Sequence, residues 1–104
     1  MPIYYFIQKN KSVDDLVADA EKGKFKLVFS FGADEISYEK FSNCKIVYMG
    51  THGDRGANAA DFILPAAAYT EKDAIFINTE GRVQYANKAS FPPGEAREDW
   101  KIIN

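Results

Sequence analysis

Residues Ala60–Gln84 read ADFILPAAAYTEKDAIFINTEGRVQ. A short apolar run, Phe62-Ile63-Leu64, is closed by Pro65, which cannot donate to a strand ladder. The polar string Thr70-Glu71-Lys72-Asp73 leads into a second apolar run, Ala74–Asn78. Thr79-Glu80-Gly81 separates that run from Arg82–Tyr85, and two β-prone runs across a short glycine-containing turn predict a hairpin. Asn78 suits the turn entry, because its side-chain amide oxygen can accept from backbone two residues on. An Asp or Glu paired with Arg82 is a second way to fix the turn. Lys72 and Arg82 holding a phosphate or pyrophosphate group is the functional alternative.

Upstream, the apolar pattern changes period. Ser12 can cap a helix, with Asp14 and Asp15 at the positive end of the dipole. Val13, Leu16, Val17 and Ala20 follow at helical spacing as one apolar stripe, and Gly23 is a stop. Lys26–Phe31 and Lys45–Met49 read as strands, with a short turn-like segment carrying Ile36, Tyr38 and Phe41 between them. Pro2–Ile7 is extended and β-prone. Helix, strand, connection, strand, connection, strand is the order of a parallel α/β sheet, to which the hairpin is an addition. Continuous apolar strands agree, since parallel strands are covered on both faces. Ser90-Phe91-Pro92-Pro93-Gly94 is loop, and Glu95–Ile103 is predicted as a helix with carboxylates at its start and Trp100 as its anchor. The chain stops at Asn104 about two turns into that helix, which points to a piece of a longer protein.

With 104 residues the chain is a single domain or part of one. The net charge is −2 without any block of like charge, which argues against nucleic acid, since neutralising phosphates needs clustered Lys and Arg. No apolar run approaches the roughly 20 residues of a spanning helix, and the first residues lack the basic start of a signal peptide. An intracellular setting without direct membrane insertion follows as the expectation. Eight Phe and six Tyr imply either a dense core or rings reserved for a neighbouring surface. The single cysteine, Cys44, excludes an internal disulfide or a cysteine-rich metal site and reads as a small buried thiol.

Three glycines follow the second strand in Gly50-x-x-Gly53-x-x-Gly56. The pattern is similar to a dinucleotide loop, whose glycines let backbone amides approach phosphate, but its first spacing is one residue too long. The alternative is a tight loop using glycine for positive φ. His52, the single histidine, lies beside Asp54 and Arg55. A His–Asp pair can move protons, yet no nucleophile or further ligand accompanies it. Ordering the loop or contacting a partner is the better reading. No catalytic or metal-binding residue is assigned.

The strings THGDRGA, ADFILPAAAYTEK, NTEGRVQ and PPGEAREDW, with Gly32-Ala33-Asp34-Glu35-Ile36, resemble the large iron–sulfur subunit of NADH:quinone oxidoreductase, respiratory complex I. The resemblance covers about Lys24 to Ile103; the role of residues 1–21 stays open. It implies a Rossmann-like parallel sheet with flanking helices and a β-hairpin, forming part of a molybdopterin-oxidoreductase-like domain. Residues 1–104 are then a single partial domain that serves as scaffold and partner contact rather than a redox site. Iron–sulfur clusters are implied only for a preceding part of the parent subunit, with no cofactor in this segment. Implied partners are the remainder of that large subunit and other complex I peripheral-arm subunits, on the cytoplasmic face of a bacterial inner membrane or the mitochondrial matrix side. The alternative is a molybdopterin guanine dinucleotide-binding fragment of a true molybdopterin oxidoreductase, with Gly50, Gly53, Gly56, Lys72 and Arg82 approaching the pyrophosphate. A free-standing nucleotide-binding module is a third reading.

Overall fold

A computed structural model describes residues 11–104; the extended segment predicted at Pro2–Ile7 lies outside them. The chain divides after Leu64 into two compact units.

In the unit ending at Leu64, α1 spans Val13–Glu21. The Ser12 side chain accepts from the Asp15 amide at 3.2 Å, while Asp15 Oδ2 accepts from the Ser12 amide at 3.0 Å. This reciprocal box satisfies two amides that a helix start leaves unpaired. The predicted apolar stripe divides in two. Val17 and Ala20 are buried, whereas Val13 and Leu16 are exposed because only one part of the helix surface meets the turn at Tyr38–Phe41. Asp19 is buried instead, with Lys11 and Lys24 on its two oxygens. Gly23, at φ +75°, ends the helix as expected.

Strands β1 (Leu27–Phe31), β2 (Lys45–Gly50) and β3 (Phe62–Pro65) form a sheet in the order β1-β2-β3. The β1–β2 pair is parallel, with Leu27 opposite Lys45 and Phe31 opposite Met49. Tyr38–Phe41 is a single 3-10 turn. The core beneath the sheet comprises Val17, Ala20, Tyr38, Phe41 and Ile46, with Phe25, Val28, Ile36, Cys44 and Ala60 packed against it. Cys44 is half-buried, its Sγ donates to the Phe41 carbonyl at 3.2 Å, and burial pushes the thiol up, away from nucleophile chemistry. The loop carrying Gly50, Gly53 and Gly56 is partly helical, because α2 (Arg55–Ala59) begins inside it with Asp54 as its cap.

In Pro65–Asn104, β4 (Ala74–Ile77) and β5 (Val83–Ala86) pair antiparallel as the predicted hairpin. Asn78 Oδ1 accepts from the amides of Glu80 and Arg82, at 3.0 and 2.9 Å, and Gly81 takes φ +82°. The Arg82 side chain is exposed, and among the described residues no carboxylate lies within 4.0 Å of its guanidinium. Asn78, and not an acid–Arg pair, therefore fixes the turn. The last helix is shorter than predicted, with α3 spanning Asp99–Ile103. Arg97 is drawn instead into a parallel bridge with Ala66: its amide donates to the Pro65 carbonyl at 3.2 Å, and the Ala67 amide donates to its carbonyl at 2.8 Å. Glu95–Arg97 cannot be helical while Arg97 serves as that bridge.

Candidate functional site

The glycine loop lies at the carboxyl end of β2, where ligands enter open α/β sheets. Here the protein occupies it. Tyr48 is 1% exposed, and its ring lies against the backbones of Gly50 and Gly56. A Cβ added at Gly50 would meet ring atom Cε1 at 2.4 Å; one added at Gly56 would meet Cε2 at 2.2 Å. Neither glycine has positive φ, so the expectation of a tight loop built on left-handed residues is corrected. They are small because a buried aromatic needs their space. Gly53 has no such neighbour within 4 Å.

The loop's polar positions are also satisfied from within. Tyr48 Oη donates to Asp54 Oδ2 at 2.5 Å, and Asp54 Oδ1 accepts from the Ala57 amide at 3.0 Å. The Tyr48 hydroxyl, with backbone amides at the start of α2, holds the Asp54 carboxyl below the usual range. Burial, followed by the bond to Asp54, pushes the Tyr48 phenol well above its usual value. A pyrophosphate here would meet a fixed carboxylate and a filled space, so these residues do not fit that group. His52 and Asp54 do not pair: His52 Nδ1 shares a hydrogen with Thr51 Oγ1 at 2.7 Å, while Asp54 serves Tyr48. Both Thr51 and His52 are exposed.

The other distinctive residues likewise carry structure. Asp61 accepts from Lys45 Nζ at 2.7 Å and from the Ile46 amide at 2.9 Å, tying the approach to β3 onto the start of β2. Lys45 first, then the Ile46 amide, draws the Asp61 carboxyl down. Tyr38 Oη bonds Ser30 Oγ at 2.7 Å and donates to the Ala33 carbonyl, and burial pushes that phenol up. In Pro65–Asn104, Lys72 Nζ pairs with Asp99 Oδ2 at 2.7 Å and is not a free cation. Glu98 is buried, accepting from Lys101 at 2.8 Å and from the Trp100 indole at 3.1 Å; Lys101 leads in drawing its carboxyl down. Trp100 itself stays exposed, so it does not anchor α3 within the described residues. Among the described residues, no group of three or more His, Cys, Asp or Glu could hold a metal ion.

Sequence reasoning missed Tyr48, and it set Asp54 beside His52 and not with the Tyr48 hydroxyl that it serves. The available signal was a tyrosine two residues before the first glycine, since alternate strand residues share a face. Several large apolar side chains lie open on the surface: Phe29, Phe62, Ile75, Val83, Tyr85, Phe91 and Trp100 are all exposed. Tyr38, Phe41 and Tyr48 are buried, so the aromatic richness serves both a core and uncovered surface.

The family model described as molybdopterin oxidoreductase matches residues 6–104. This chain belongs to that family. The match reaches further towards the N-terminus than the region from Lys24 that carries the resemblance. Among individual proteins, the chain is 54% identical over 89 residues to the mitochondrial NADH-ubiquinone oxidoreductase 78 kDa subunit of Candida albicans, covering 85% of this chain and 12% of that protein. It is 58% identical over 76 residues to the NADH-ubiquinone oxidoreductase 75 kDa subunit of Reclinomonas americana, covering 73% and 11%. It is 49% identical over 92 residues to an NADH-quinone oxidoreductase subunit of the bacterium Rickettsia bellii, covering 86% and 14%. The expected likeness to the large subunit of complex I is borne out, as is the α/β class with a hairpin. The chain spans about an eighth of the length of the curated relatives it matches.

Proposed function

We propose that this chain is a scaffold segment of an NADH:quinone oxidoreductase large subunit, serving electron transfer from NADH to quinone without carrying a redox centre. The observation that carries this reading is the use made of the residues on which the resemblance rests. Asp61 ties strands together, Arg97 bridges Pro65–Ala67, Lys72 holds Asp99, and Gly50 and Gly56 accommodate Tyr48. Each is engaged in holding the fold. Partners would be the remaining polypeptide of the subunit and neighbouring subunits of a peripheral arm, on the matrix side in mitochondria or the cytoplasmic face in bacteria. The relatives' names support an oxidoreductase complex, one of them mitochondrial. Among the described residues no helix is long and apolar enough to cross a membrane.

The competing role, a fragment that binds molybdopterin guanine dinucleotide, gains nothing from the loop. Its glycine-lined space holds an aromatic ring and a carboxylate, and Lys72 is already paired.

The test replaces the matching stretch of the Candida albicans subunit with this chain. Assembly on native gels and retained NADH:ubiquinone reductase activity in mitochondrial membranes are expected. Failure to assemble would refute the proposed place in that complex, and NADH:ferricyanide reduction by the purified 104-residue chain would refute the scaffold role.

A further inference from the structure

The hairpin is apolar on one face, and the other, where Gln84 lies opposite Phe76, is partly covered. Ala74 and Phe76 are half-buried, whereas Ile75 is 61%, Ile77 41%, Val83 63% and Tyr85 64% exposed. Ile75 lies opposite Tyr85, and Ile77 opposite Val83, so these four side chains form one contiguous patch. None is charged. Asp73, Asn78, Thr79, Glu80, Arg82 and Lys88 border the patch, and a polar rim around an apolar centre is the anatomy of a protein interface. Water is a poor permanent neighbour for it. A strand reading Ala-Ile-Phe-Ile has no solvent face by sequence, and a two-stranded ribbon is marginal alone in water.

We infer that the Ile75, Ile77, Val83 and Tyr85 face is a permanent interface, and that its occupant is the remaining polypeptide of a full-length subunit of the relatives' kind. Uncharged, core-like composition fits obligate burial and not a transient encounter. The relatives supply the occupant, because in each of them this segment is joined to roughly seven times as much additional chain. The inference rests on the proposed function for the occupant's identity, and on the hairpin's own geometry for the interface.

A photo-cross-linking residue at Val83, in the Candida albicans subunit carrying this chain, reads the occupant directly. Cross-linked peptides from elsewhere in the same subunit are expected. Peptides from another subunit, peptides from a second copy, or no cross-link would each overturn the inference. Val83→Lys provides a second readout. The isolated chain should keep its thermal midpoint within about 2–3 °C, the shift of a surface substitution well under 1 kcal/mol, while the chimeric subunit should accumulate at least about tenfold less. Normal accumulation would overturn the inference. An intramolecular cross-link in a subunit that fails to assemble or reduce quinone would sink the proposed function and leave this interface standing.

Discussion

Replacing Gly56 by alanine should destabilise the chain although alanine is the better helix former. Gly56 lies in α2, where exchange for alanine ordinarily gains about 0.5–1 kcal/mol. The new methyl would sit 2.2 Å from Tyr48 Cε2, against an ordinary carbon–carbon contact of about 3.5–4.0 Å. The ring cannot swing aside, since Tyr48 is 1% exposed and its hydroxyl is tied to Asp54. Overpacking of this kind costs about 1–3 kcal/mol, so after the helix gain is subtracted a net loss of about 0–2.5 kcal/mol, centred a little above 1, remains. For a domain of this size that is a fall of up to roughly 20 °C in midpoint, read by circular dichroism. Gly53→Ala is the control, because no atom lies within 4 Å of its added Cβ, and it should stay within about 0.5 kcal/mol of the parent. Combining Gly56→Ala with Tyr48→Ala should cost at least about 1 kcal/mol less than the two losses added, the sign of a shared contact. A Gly56→Ala chain more stable than the parent by the full helix gain, or a strictly additive pair, would show that Gly56 is not there for Tyr48.

The remaining predictions concern charge and turn chemistry. Lys11, then Lys24, holds the Asp19 carboxyl down to about 2 from the ordinary 3.8. A depressed folded value means stability fully present above pH 3.8 and lost as pH falls through about 2. The thermal midpoint should therefore drop across that window, and Asp19→Asn should flatten that part of the profile; an equally steep fall in the variant would exclude the clasp. Asn78→Ala removes the acceptor shared by two turn amides and should cost about 0.5–2 kcal/mol by analogy with lost caps. Its measure is amide exchange in β4 and β5, and unchanged protection there would discount the turn.

The parts of the fold legible in advance were those written by neighbouring residues. Ser12 as a cap, with Asp14 and Asp15 at the positive end, announced α1, and Asn78 with Gly81 announced the hairpin, because each signal lies within a few residues of the element it starts. The start of α3 was illegible because a distant event decides it: Arg97 is held by Pro65 and Ala67, about thirty residues away, and local propensity has no view of that bridge. The α1 stripe overreached likewise, since helical spacing marks which side chains share a side and not how wide the covering surface is. At the candidate site the glycines were found and their cause was misread. Spacing identifies places without side chains, but a phosphate, a left-handed turn and a tyrosine ring all require the same vacancy.

The Ala66–Arg97 bridge makes the intervening residues a closed excursion. Chain enters beside Pro65 and leaves beside Arg97, with the two ends hydrogen-bonded to each other. Whatever happens to the length of that excursion leaves its points of attachment where they were. Doubling it would add only about 0.6 kcal/mol of closure entropy. Insertions at the Asn78–Arg82 tip should therefore be absorbed locally, which makes this excursion a natural port for a tag or a spectroscopic label that leaves the strands beyond the bridge undisturbed.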